Sequence, residues 1–136
     1  MNKTAAKEWL QKAWHHFSSA KLLYEANHYL DIIAVELHYS IEIILKSFLA
    51  YENKKILRTH ELFEIYELIN TKIEFDESEI KLLSIATDYH IEDVYPSFDK
   101  QLPSNEEVKK VLDFTESLFS RVCNELNIDL DEIKVV

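Results

Sequence analysis

The chain has 136 residues, of which 47% are hydrophobic and 12% aromatic, enough for one domain to close a core without metal or disulfide support. Glycine is absent and proline occurs only at Pro96 and Pro103, which argues against hairpin-rich sheets and against glycine loops that cradle phosphates. The charge balance of 15 Lys and Arg against 25 Asp and Glu leaves a net −10, so the surface as a whole repels a phosphate backbone, and only a local cationic site or a basic partner fits.

Cys123 is the single cysteine, so no disulfide framework or cysteine-rich zinc site can form within one chain, and a small buried hydrophobe in a reducing cytoplasm is expected. No apolar run approaches the roughly 18 residues of a membrane span, and the N-terminus lacks a signal-peptide core. A cytoplasmic protein with no membrane contact, folded as one helical domain over residues 1–136, is the expectation.

Apolar residues at spacings of three and four predict five helical segments. The first runs from about Thr4 to Ala26, with Ala6, Leu10, Ala13, Phe17, Ala20 and Tyr24 on one stripe, widened by Trp9 and Trp14. Asn27-His28 breaks the pattern. The second, from about Tyr29 to Tyr51, is apolar around most of its circumference through Ile32, Val35 and Ile43 as well as the main stripe. Such a helix is central in a bundle or shared with a second subunit.

The polar stretch from Glu52 to Arg58 reads as a loop, and Thr59 as the N-cap of a short third helix. Asp76 with Glu79, and Ser104 with Glu107, are capping-box-like starts of the fourth and fifth. Between those two, Ile91 to Pro103 reads as irregular, with Tyr95 extended because proline disfavours a helical residue before it. The last residues, Asp129 to Val136, fray or add one turn. The predicted class is all-α, an antiparallel four-helix up-and-down bundle with a short additional helix.

Four segments carry a family pattern. Tyr24-Glu25-Ala26-Asn27-His28-Tyr29 stands at the bend, with Asn27 where a glycine is usual. Tyr39 to Leu49, which contains Glu42 and Lys46, fits a Glu-Lys-x-Leu-Lys-like second helix. His60-Glu61-Leu62 fits a His-Asp-Leu-like third-helix start, and Tyr89 to Pro96 fits a later Tyr-Tyr-Ile-x-x-Arg-Tyr-Pro-like segment. In order and spacing, from about Lys7 to Leu126, the chain resembles the HEPN family (higher eukaryotes and prokaryotes nucleotide-binding domains).

The resemblance implies a dimeric helical bundle and a nucleotide or RNA ligand. It also implies a function as partner to a minimal nucleotidyltransferase in a toxin–antitoxin pair. Ribonuclease members carry an arginine followed four to six residues later by a histidine, which sets a cation and a proton-transfer group beside the scissile phosphate. Here the arginines are Arg58 and Arg121, neither followed by histidine at that distance, and Val94 stands where the Arg-Tyr-Pro-like arginine would be. A non-catalytic binding module is therefore the leading expectation. A divergent metal-independent ribonuclease, or a purely structural dimerisation bundle, is the alternative.

Candidate ligand residues fall in two groups. Lys46, Lys54, Lys55, Arg58 and His60 make a cationic cluster able to hold a phosphate, although cations also sit well at a helix C-terminus without a ligand. Arg58 is the one whose planar fork recognises phosphate in bidentate fashion. Tyr89, His90, Asp93 and Tyr95 could stack on and hydrogen-bond a base, or serve as core or dimer contacts.

No catalytic set, cofactor or metal site is expected. Carboxylate-bridged dimetal bundles need two Glu-x-x-His motifs plus further inward carboxylates. Only Glu25-x-x-His28, at the bend, and the His38/Glu42 pair resemble parts of one, and His15-His16 are adjacent rather than one helical turn apart.

Overall fold

A computed structural model of the chain describes residues 1–92, 95–96 and 102–134. Among these residues the structure is all-helical: α1 (Lys3–Glu25), α2 (Leu30–Tyr51), α3 (Leu62–Ile69), α4 (Glu77–Glu92), α5 (Asn105–Leu126) and α6 (Leu130–Lys134). The long helices α1, α2, α4 and α5 form the expected antiparallel bundle. The short α3 packs on α2 and α4, and α6 folds back on α1 and α5.

Helix α2 touches α1, α3, α4 and α5, which accounts within one subunit for most of its apolar circumference. Ile33, Leu37, Ile41, Ile44, Leu45, Phe48 and Leu49 are all buried, whereas Ile32 is exposed and Ile43 half-buried. The α1 stripe of Ala6, Leu10, Ala13, Phe17 and Ala20 alternates small with large residues, so the α2 backbone can approach closely. Buried Ser40 adds a polar tie, its hydroxyl donating to the Ala13 carbonyl at 2.9 Å. Across the bundle Phe17 meets Phe119 edge-on at 5.6 Å, with Trp14 over both. Each fully buried aromatic of this kind contributes on the order of 2–3 kcal/mol.

With no glycine available, three helix ends close on asparagine. Asn27, Asn53 and Asn127 have φ of 57°, 55° and 55°, the left-handed region that asparagine tolerates better than other non-glycine residues. The hydrogen bonds repeat at each end: His28 N–H to Leu23 O, Lys54 N–H to Leu49 O and Ile128 N–H to Cys123 O, at 2.9, 2.9 and 2.8 Å. These reverse the chain after α1, α2 and α5.

Both predicted caps form, but only the first is a reciprocal capping box. Asp76 and Glu79 exchange backbone N–H donors at 2.9 and 3.1 Å. Ser104 accepts from Glu107 N–H at 3.1 Å, but the Glu107 carboxylate turns instead to the Tyr89 hydroxyl at 2.7 Å. The third helix departs further from expectation. Its N-cap is Glu61, and Thr59 accepts the Glu61 N–H at 3.0 Å in a local turn, so residues up to Glu61 stay outside α3. Ile91, expected to open an irregular stretch, is still helical, because α4 continues to Glu92; most of that stretch, residues 93–94 and 97–101, lies outside the described residues. Residues 130–134 form α6, the added turn.

Candidate functional site

Along one line of α2, spaced a helical turn apart, stand His38, Glu42 and Lys46, each almost fully buried in a largely apolar helix. Buried charge is costly unless paired and hydrogen-bonded, and here Glu42 is the hub. It accepts from Lys46 Nζ at 3.0 Å and from His60 Nδ1 at 2.6 Å, and it faces His38 Nε2 at 3.2 Å. Burial by itself pushes the Glu42 carboxyl upward. The contacts with His38, His60 and Lys46 overcome it and bring the group down from its ordinary 4.5 to about 2.

Two further elements complete the cluster. Helix α4 supplies the Ala86 carbonyl, which sits 2.7 Å from His38 Nδ1; a carbonyl only accepts, so Nδ1 carries the proton. Near the C-terminal end of α4, half-buried His90 stacks on His60 with ring centroids 3.9 Å apart and planes inclined by 19°. The His38 and Tyr39 rings lie 4.9 and 5.8 Å from His90. Burial, then the neighbouring His60 and His38, keep the His90 imidazole below its ordinary range, partly opposed by Glu42. His60 is the exposed member, so solvent reaches the cluster through it. Among the described residues every buried side-chain nitrogen and oxygen has a partner.

The cationic cluster expected from the sequence is divided. Lys46 is buried against Glu42, and Lys54 pairs with Glu52 at 2.7 Å. Neither offers a free ammonium to a phosphate in this arrangement. Lys55 and Arg58 are exposed in the segment leading to His60. His60 does not sit at the first turn of a helix, as the Thr59 cap would have required; it precedes α3 and is oriented by Glu42.

Of the second group, Tyr89 is buried with its hydroxyl on Glu107, so its ring is not a platform for a base. His90 joins His60, and Tyr95 is exposed. Asp93 lies outside the described residues. The centre of the cluster, His38 and Glu42, was not among the expected ligand residues. Its signal in the sequence is three titratable residues, at 38, 42 and 46, on one stripe of an otherwise apolar helix.

Away from this site, a cavity of about 430 Å³ is lined by residues of α1, α5 and α6, among them Lys7, Cys123 and Glu132. Burial and then the Asp129 charge push the Cys123 thiol up to about 11, which removes it as a nucleophile at neutral pH. The second arginine is structural. Arg121 on α5 pairs with Glu79, donates to the Glu74 carbonyl at 2.8 Å and covers the Phe75 ring, tying the α3–α4 connection to α5.

The fold and the cluster define a small helical-bundle module with a histidine–carboxylate centre where α2, α4 and the segment before α3 meet. The family model of the HEPN domain matches residues 6–126, and the chain belongs to that family. At the family level it is a nucleotide- or RNA-related module. No curated protein and no solved structure matches the chain. No helix among the described residues is long and apolar enough to cross a membrane.

Proposed function

We propose that this chain is a non-catalytic HEPN binding module whose ligand, a nucleotide or a short single-stranded RNA, docks on the His60–His90 face. We further propose that it acts as a homodimer beside a nucleotidyltransferase, as in a toxin–antitoxin pair. The observation that carries the reading is convergence. Three segments of the family pattern, represented by Glu42 with Lys46, by His60 and by His90, are far apart in sequence and meet in one network. A stacked imidazole pair open on one side offers a π-face to a base. Exposed Lys55 and Arg58 approach along the same segment as the source of phosphate contacts. Ligand titration followed by NMR tests this: ATP or a short RNA should shift His60, Glu61 and His90 resonances, and unchanged spectra at millimolar ligand would reject it.

One observation favours the ribonuclease reading. The Glu42 carboxylate holds His60 by Nδ1 and leaves its other ring nitrogen unassigned, the arrangement by which a carboxylate orients a general base. Against it stands the lack of an arginine paired with that histidine at the family's spacing. RNA cleavage by the purified chain in EDTA, lost in His60→Ala, would replace the binding reading with this one.

A further inference from the structure

We infer that His38, His60 and His90 form a binding site for one divalent transition metal of the zinc class. The inference does not rest on the nucleotide-binding reading. Three imidazoles from three different elements each offer a ligand nitrogen, and these nitrogens all lie within 4.8 Å of one another. They are the one such His, Cys, Asp or Glu grouping found among the described residues. Imidazole nitrogens suit zinc, nickel, copper and cobalt rather than magnesium or calcium, which take oxygen.

The orientation of the rings is the second observation. A metal-binding histidine characteristically gives its other N–H to a carbonyl or a carboxylate, which fixes tautomer and direction. His38 Nδ1 is held at 2.7 Å on the Ala86 carbonyl, and His60 Nδ1 at 2.6 Å on the Glu42 carboxylate. One anchor of each kind is therefore in place. The second nitrogen of His60 is left for an ion, whereas His38 Nε2, 3.2 Å from the Glu42 carboxylate, exchanges that contact for the ion on binding. The surroundings fit a cation: the Glu42 carboxyl lies against two of the three rings, and the chain carries −10 overall.

Bond lengths define what must move. Zinc–nitrogen bonds of about 2.0–2.1 Å in a tetrahedral shell set ligand nitrogens roughly 3.4 Å apart. Closing from 4.8 Å takes a shift on the order of 1 Å, together with rotation of the nearly parallel His60 and His90 rings toward a common point. Exposed His60 has the freedom to make that rotation, and the side open to solvent leaves a fourth position for water, as in three-histidine zinc sites.

Metal-stripped full-length chain, without nucleotide, is titrated with Zn²⁺ by calorimetry and with Co²⁺ by visible absorption. The expected result is one equivalent bound with micromolar or tighter affinity and a four-coordinate Co²⁺ band. His60→Ala and His90→Ala should each weaken binding by at least about tenfold, while His28→Ala at the α1–α2 bend leaves it unchanged. Histidine ¹⁵N spectra of the unsubstituted chain give a readout independent of variant folding, with His38, His60 and His90 shifting together on Zn²⁺ addition. Absence of submillimolar binding would overturn the assignment. So would binding that moves only His15, His16 or His28.

Discussion

His60 Nδ1 meets the Glu42 carboxylate at 2.6 Å, joining the segment ahead of α3 to the middle of the buried helix α2. Through this contact an exposed imidazole takes its direction from a carboxylate that is itself held by Lys46 and faces His38. The candidate site and the packing of the bundle therefore share one residue.

Glu42→Gln should destabilise the metal-free fold by about 3 kcal/mol, because the buried Lys46 ammonium loses its counter-charge. Urea unfolding measures it. The sign with pH follows from the depressed carboxyl. Its contribution is complete above its ordinary value of 4.5 and is lost as pH falls toward about 2. The gap between the natural chain and the variant should accordingly narrow in acid.

Asn127 takes φ of 55° at the end of α5. Asn127→Gly should raise stability by a few tenths to about 1 kcal/mol, and Asn127→Ala should lower it by about 1 kcal/mol, since a β-carbon disfavours the left-handed region. Opposite shifts of the thermal midpoint are the expected outcome; equal shifts would deny the cap its conformational role.

Cys123 should be nearly inert in the folded chain. A thiol moved from its ordinary 9.0 to about 11 has about 100-fold less thiolate at pH 8. Disulfide-reagent labelling should be at least that much slower in native than in unfolding conditions.

Tyr89→Phe removes the 2.7 Å bond to Glu107 that links α4 to α5. A loss of about 1 kcal/mol is expected, with ligand binding unchanged because the Tyr89 ring is buried. Impaired ligand binding in this variant would return Tyr89 to the site.

Much of the fold could be read in advance because the apolar stripes of α1 and α5 are regular and the breaks fall at Asn27 and at the Asp76 and Ser104 caps. Thr59 misled because a threonine ahead of an apolar run serves equally as a turn residue, and tertiary contact of His60 with Glu42 fixed the outcome. The site was half legible. His60 and His90 stand in motif segments, but the pairing of Lys46 with Glu42 withdraws a cation that local sequence makes look free. The approach of His38 to residues 22 and 52 positions further on depends on helix packing, which no spacing rule contains.

The proposed ligand, a nucleotide or RNA, meets the His60–His90 face. Calorimetric titration of the natural chain and His60→Ala with ATP and with a short single-stranded RNA, in EDTA to exclude metal, tests it most directly. Saturable binding by the natural chain and at least a tenfold loss in the variant are expected. Equal affinity in both, or no binding to either ligand, would contradict it.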